Sequence, residues 1–344
     1  MKNNINKIRR ITKMKKCLVL ILTLVMVSVI SGTCVGAADY SSKTIRCGIT
    51  VSEDSNPAKA LRIFEKYVEI LSNGRIQFEL YLNGTLGNER DMAEGLTMGT
   101  LEMVALSTAP LINFSPDFMV WDLPFIVASN EKGLKKATDM MDGELGRIML
   151  DSMLNQGIKG LAFAHNGFRY TINRVRDVAA PSDMKGLKIR TMENDVHLAY
   201  YQAVGANPTP MASTEAFTAL QQGVIDGMDN NLDALYTQGA WETAKHLTLT
   251  GHIFSASAMI MSDKFFKSLS AEDQKIILDG IDIAKWAWRD IAVAREKEII
   301  KKFQTECGVT VTEVNIEEWR PLVSGIWDKY RSKIDNRYLD ALTK

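Results

Sequence analysis

Apolar residues recur along this chain at two spacings, and the spacings divide it into elements. Ile45, Cys47 and Ile49 alternate with polar neighbours, as a half-buried strand requires. Asn56 stands before Pro57, which suits the first turn of a helix, so Asn56 is expected to cap it. Leu61, Phe64, Val68 and Leu71 form that helix's apolar stripe, and Gly74 ends it. Ile76, Phe78, Leu80 and Leu82 predict a second strand. A further helix starts near Asn88, and Leu101 to Leu106 predict a third strand. Strand, helix, strand, helix, strand implies a largely parallel sheet with helices on both faces.

The densest pattern runs from Met184 to Leu232. Leu187-Lys188-Ile189-Arg190 alternates as a strand and ends on Arg190, at the sheet edge where open α/β folds bind ligands. Val196, Ala199, Tyr200, Ala203 and Val204 mark one face of a helix. Asn207-Pro208-Thr209-Pro210 is held extended by its prolines. Ser213 or Thr214 is expected to cap the next helix, with Glu215 in its first turn and Gly223 at its end. Val224 to Met228 then leads into Asp229, Asn230 and Asn231.

Further on, Ser270 and Asp273 form a capping-box pattern before a helical run to about Glu306, with Ile277, Ile281, Ala284, Trp288 and Ile291 on one side. Unbroken, that helix is about 50 Å long, enough to span two domains. A break near Gly280 would instead give two shorter helices. Val309 to Val314 predicts a late strand, and Trp319 opens a C-terminal helix.

The first 38 residues stand apart. Seven basic residues and no acid precede the apolar run Leu18–Ile30, and Val35-Gly36-Ala37-Ala38 is small. This is the pattern of a secretory signal peptide. The apolar run of about 14 residues falls short of the roughly 20 that an anchor needs. Ser31-Gly32-Thr33 is a poor approach to a lipidated Cys34. The whole chain has 41 basic and 41 acidic residues; without the signal, 34 basic residues face 41 acidic ones, a net charge of −7. A mildly acidic domain with no basic stripe does not fit nucleic-acid binding. Cys47 and Cys307 remain, and are expected as buried free thiols although an oxidising compartment would let them pair.

Enzyme chemistry finds little support in the motifs. His165, His197, His246 and His252 lack metal-ligand spacing, and no nucleophile elbow, phosphate loop or dinucleotide fingerprint is present. No cofactor is expected. Asp226 and Asp229 could act as an acid–base pair, but a strand-to-loop segment uses such residues more simply as turn and cap groups.

Three separated motifs carry a resemblance. They are GLKIR at 186–190, AVGANPTPM at 203–211 and EAFTALQQGVIDGMDNN at 215–231. Together they resemble the extracytoplasmic solute-binding proteins of tripartite ATP-independent periplasmic (TRAP) transporters, the DctP family. Asn56, Leu86 to Asp91, Asp122 to Phe125 and Gly167 to Thr171 extend the likeness over nearly all of the chain after the signal.

The resemblance implies a two-lobed α/β fold like that of type II periplasmic binding proteins, with a ligand cleft between lobes and a long helix behind both. Lobe I is expected over 39–166 plus about 255–300, lobe II over 167–254 plus about 301–344. The ligand is then an organic acid. Arg190 matches the position that grips its carboxylate, a task for arginine's planar fork. Arg169 matches a second polar contact, and Asn230 the ligand-bonding asparagine. Asp229 replaces the family's usual Glu, and Asn231 replaces the Pro of many members. Glu89 and Asn56 match positions near the cleft and could bind hydroxyls or simply cap helices. Phe217 and Trp121 could wall the cleft or belong to the core. The Asn-Asn pair leans toward a sugar acid such as a hexuronate, over a C4-dicarboxylate or keto acid. The expected partner is an ion-gradient-driven membrane permease, with the binding protein a monomer outside the cytoplasm. An ATP-driven importer's binding protein and a secreted α/β enzyme acting on a carboxylated metabolite are the competing readings.

Overall fold

A computed structural model describes residues 42–344. The expected signal peptide, residues 1–38, lies outside the described residues. One sheet of nine strands organises the chain: β1 Lys43–Gly48, β2 Ile76–Tyr81, β3 Met103–Ser107, β4 Ile158–Asn173, β5 Lys188–Thr191, β6 Asn207–Pro210, β7 Gly227–Asn231, β8 His246–Ser262 and β9 Thr310–Glu313. Their order is β2-β1-β3-β8-β4-β7-β5-β6, with β9 beside β8. The helices are α1 Asn56–Leu71, α2 Glu89–Met98, α3 Glu131–Asp142, α4 Glu144–Asp151, α5 Asp195–Ala203, α6 Ser213–Gln221, α7 Leu232–Thr237, α8 Ala240–Thr243, α9 Asp263–Lys267, α10 Ala271–Thr305, α11 Arg320–Arg331 and α12 Asn336–Thr343.

The expected parallel sheet exists as two separate triads. β1 pairs in parallel with β2 and β3, and β5 pairs in parallel with β6 and β7. Between them run β4 and β8, antiparallel to each other and to their neighbours β7 and β3. The sheet is therefore mixed rather than largely parallel. β4 and β8 have 16 and 17 residues, about 50 Å each at strand rise, so the same two strands serve both triads. Their register shifts between His165 and Phe168 and again between Arg169 and Thr171. Bulges there bend the long pair where it passes from one triad to the other.

The long helix is continuous over 35 residues. Ser270 caps it by accepting from the Asp273 N–H at 3.0 Å. Gly280 is not a break: a Cβ there would lie 3.0 Å from the rings of Phe64 and Tyr67, so its small size lets α10 pack closely on α1. That contact belongs to a core of Ile45, Phe64, Phe78, Ile277, Ile281 and Trp288 on one side of the first triad. A larger core holds the rest of the fold together, including Trp121, Tyr200, Leu220, Phe254 and Trp319.

Two caps differ from expectation. Ser55, not Asn56, caps α1, its hydroxyl accepting from the Ala58 N–H at 3.4 Å. Asn56 is the first helical residue and turns its side chain elsewhere. At α6, Ser213 is already helical and Ala212 holds the cap position, so no side chain caps that end. Cys47 and Cys307 are both buried free thiols. Among the described residues, no helix is long and apolar enough to cross a membrane.

Candidate functional site

Adjacent strands bring the central residues together. Arg190 sits near the end of β5, Asn230 on β7 and Arg169 on β4, and β7 lies between the other two. Arg190, Arg169, Asn230 and Glu89 line one cavity. Glu89 opens α2 from the other triad, and its carboxylate accepts the Ser107 N–H at 2.9 Å and the Ser107 hydroxyl at 3.1 Å. Burial raises the Glu89 pKa, against these hydrogen bonds and the two nearby arginines.

The two arginines are both buried, 3% and 1% exposed, but differently held. Arg169 donates from Nε to Asp229 Oδ2 at 2.7 Å, from Nη2 to the Asp229 carbonyl at 2.8 Å, and from Nη1 to Asn230 Oδ1 at 3.2 Å. Burial alone would lower its pKa; the Asp229 carboxylate outweighs burial and raises it. Asp229 is opposed by burial too, yet Arg169 and His252 hold it well below the usual carboxylate range. Behind it, His197 contacts Asp122 at 3.0 Å and Asp122 accepts from Asn194 at 2.8 Å, which extends the network to the start of α5.

Arg190 has no carboxylate within ion-pair distance among the described residues. Nε and Nη2 donate to one acceptor, the Met211 carbonyl, at 3.0 and 2.8 Å. Burial pulls its pKa down to about 10, so it is a cation at pH 7. Of its five N–H groups, three keep no acceptor among the described residues. Asn230 lines the cavity too; its Oδ1 accepts from Arg169 and from the Asn231 N–H at 3.0 Å, which leaves its amide N–H₂ as a donor without an acceptor among the described residues. A cationic fork and an amide converging on one cavity can hold a carboxylate.

Two of the expected site residues lie elsewhere. Asn56 is buried outside this cavity; its Oδ1 accepts from Arg295 at 2.6 Å and its backbone N–H donates to Asp233 at 2.8 Å. Phe217 lines an outer groove with Tyr236, Trp241 and Lys302. Trp121 is core, fully buried between Phe163 and Phe254 with ring centroids 5.8 Å away.

Other residues complete the wall: Ser213, Ser255, Ser257, Asn166, Gln238 and Trp288. Ser255 and Ser257 had a signal, since they interrupt the apolar run Ile253–Met261 with period two. Trp288 reads as helix core, and is that too, but its indole N–H reaches Asn166 at 2.9 Å beside the cavity. Asn166 and Gln238 have no pattern of their own.

Two parallel triads joined by a long antiparallel pair, a helix of 35 residues and a polar cavity lined from both sides define a two-lobed α/β solute-binding protein. The family of bacterial extracellular solute-binding proteins, family 7 (DctP), matches residues 47–333, and the chain belongs to it. It is a TRAP-type solute-binding protein, the substrate-binding component of a transporter. A solute-binding protein of Verminephrobacter eiseniae is 39% identical over 244 residues, 71% of this chain and 72% of that one. The sugar acid binding protein of Advenella mimigardefordensis, solved with galactonate, is 31% identical with a TM-score of 0.84, covering 89% of this chain and 98% of that one. A TRAP periplasmic solute-binding protein of a Polaromonas species, bound to D-erythronate, is 33% identical with a TM-score of 0.83, covering 88% and 98%.

Proposed function

We propose that this protein captures a sugar acid carrying one carboxylate, with Arg190 as the group that grips it. The observation that carries this reading is the charge count in the cavity. The lining cations are Arg169 and Arg190, and Arg169 already has Asp229. One cation is left for one carboxylate. The remaining wall offers Ser107, Ser255, Ser257, Asn166, Asn231 and the acid Glu89. These suit a row of hydroxyls. A second carboxylate would meet Glu89 and no further cation. Galactonate and erythronate, bound by two similar proteins, are hydroxylated monocarboxylates of this kind. Asn230 and Arg169 assist Arg190, and Glu89 accepts from ligand hydroxyls.

We take the lobes as 39–166 plus about 255–300 and 167–254 plus about 301–344; the register shifts of β4 and β8 near Asn166 and His252 support a border there. A ligand touching Glu89 and Ser107 on one side and Arg190 and Asn230 on the other favours the closed form. The closed protein then delivers the acid to an ion-gradient-driven permease, after export through the signal peptide to the periplasm or its equivalent. Binding and release leave the ligand chemically unchanged.

Thermal unfolding of the exported protein against galactonate, glucuronate, succinate and galactitol tests the reading. A ligand at 100 times its Kd adds about 2.7 kcal/mol to the native state, a shift of several degrees for a protein this large. The sugar acids are expected to shift the midpoint, and galactitol to leave it in place. A shift with galactitol but with no acid overturns the proposal; a shift with succinate alone replaces the sugar acid by a dicarboxylate.

A further inference from the structure

We infer that the start of α6 is the second arm of the carboxylate seat, and that Ser213 is a ligand-binding residue; this rests on the Arg190 reading above. α6 has nine residues and no side-chain cap, because Ala212 stands where Ser, Thr, Asp or Asn is usual. The Glu215 N–H bonds back to the Ala212 carbonyl at 3.2 Å. The N–H groups of Ser213 and Thr214 find no acceptor among the described residues. The Ser213 hydroxyl is buried and unpartnered as well. Donors left open at a helix start favour an anion, both by hydrogen bonding and through the helix dipole.

A second observation points to the same spot. Arg190 is 1% exposed, and its Nε and Nη2 both bond the carbonyl of Met211, two residues before α6 begins. That bond brings the guanidinium alongside the helix start with its free edge outward. Arg190 and Ser213 line the same cavity, and both also line a second hollow on the side of Met211 and Glu193. The Ser213 N–H and hydroxyl and the Arg190 guanidinium, which has no carboxylate partner among the described residues, thus meet at one place, and all can donate. One carboxylate has the lone pairs to satisfy Arg190 with one oxygen edge and the α6 start with the other. An acidic cap at position 212 would occupy those donors, which accounts for an alanine there.

Three variants test this by titration of the full exported protein with galactonate, beside thermal unfolding without ligand. Ser213→Ala removes only the hydroxyl and is expected to weaken binding about threefold. Ser213→Pro also removes the N–H, at the helix position where proline is best tolerated. Ala212 is extended with ψ of 152°, as a residue before proline should be. Its expected loss is about tenfold or more, one charge-assisted hydrogen bond beyond the alanine variant. Ala212→Asp supplies a competing cap; it should raise or keep the unfolding midpoint while weakening galactonate about tenfold or more. A merely structural helix end would give the higher midpoint with unchanged affinity. Wild-type affinity in both Ser213→Pro and Ala212→Asp overturns the seat and leaves Arg190 as the anchor. Failure of the unaltered protein to bind any acid overturns both readings together.

Discussion

Arg169 and Arg190 occupy the same cavity at nearly the same burial, yet one is finished and the other is open. Arg169 has a carboxylate at 2.7 Å, a carbonyl and an amide oxygen, and its partner Asp229 is braced by His252. Among the described residues, Arg190 has only the Met211 carbonyl. A buried charge is costly unless it is paired and hydrogen-bonded. The fold meets that requirement internally on β4 and β7. On β5 it leaves the requirement for something that arrives from solution. On the function proposed above, the first arginine is a fixed part of the wall that assists, and the second is the recognition element.

Removing each arginine breaks the comparison most sharply. Arg169→Met leaves Asp229 buried without its cation and is expected to cost about 3–5 kcal/mol of stability. Arg190→Met removes an uncompensated buried charge, so the ligand-free protein should be as stable as before or more so, and should bind no acid. Urea unfolding of the two variants decides this; equal destabilisation would erase the distinction. Next in size is Arg190→Lys, which keeps the charge and loses the fork. A fall of about a hundredfold in sugar-acid affinity is expected by calorimetry, and unchanged affinity would remove Arg190 from the site.

How much of this was legible in the residues follows from what each element's pattern records. The first triad and the long helix were legible because one face of each is buried, so periods of two and of about 3.6 survive in Ile45-Cys47-Ile49 and Ile277-Ile281-Ala284-Trp288. β4 and β8 were not, because they are buried on both faces and carry polar residues in mid-strand: His165 and Arg169 on one, His252, Ser255 and Ser257 on the other. Apart from the short Ser255–Ser257 stretch, no alternation marks such strands. Arg190, Arg169, Asn230 and Glu89 were chosen by family likeness, not by pattern, and the cavity gathers all four. Asn56 was misplaced by one position: Ser55 and Asn56 are both good caps, and only tertiary contact with Arg295 and Asp233 decides between them. Ser213 looked like a cap by composition, whereas the helix begins on it.

Acid sharpens the contrast between a paired interior and an open one. Burial pulls His165 down to about 3 from an ordinary 6.5 and lowers His252 as well. His165 is therefore neutral in the fold down to about pH 3 and gains a proton on unfolding below pH 6.5; the lowered His252 acts in the same direction. Stability is complete above that value and declines as pH falls, by roughly 1.4 kcal/mol per pH unit for each histidine whose folded pKa has not yet been reached. Asp229, held below its ordinary 3.8, adds a further loss as pH falls below that point. Arg190 contributes nothing in this range. Urea midpoints at pH 7, 6 and 5 should fall steadily, and His165→Gln should flatten the slope; a flat profile in the unaltered protein would contradict the neutral buried histidines.

The smallest effect concerns a third arginine, intermediate between the two. Arg295 on α10 donates to Asp233 Oδ1 at 2.6 Å, to Asn56 Oδ1 at 2.6 Å and to the Asp54 carbonyl at 3.1 Å, while Asp233 Oδ2 accepts the Asn56 N–H. Three elements meet there: the start of α1, the start of α7 and the long helix. Burial nevertheless raises the Asp233 pKa, and Arg295 offsets that only in part. Its side chain is 16% exposed, so water can replace part of what is lost. Arg295→Ala should therefore cost about 1–2 kcal/mol, less than Arg169→Met. Because α1 sits with the first triad and α7 follows β7 of the second, the same change should loosen the closed form. Ligand dissociation should quicken a few-fold with little change in the association rate. Stopped-flow release of galactonate reads this out. A stability loss with an unaltered dissociation rate would make the Asn56–Asp233–Arg295 cluster a brace within the scaffold, like Arg169, instead of a contact that helps hold the ligand in.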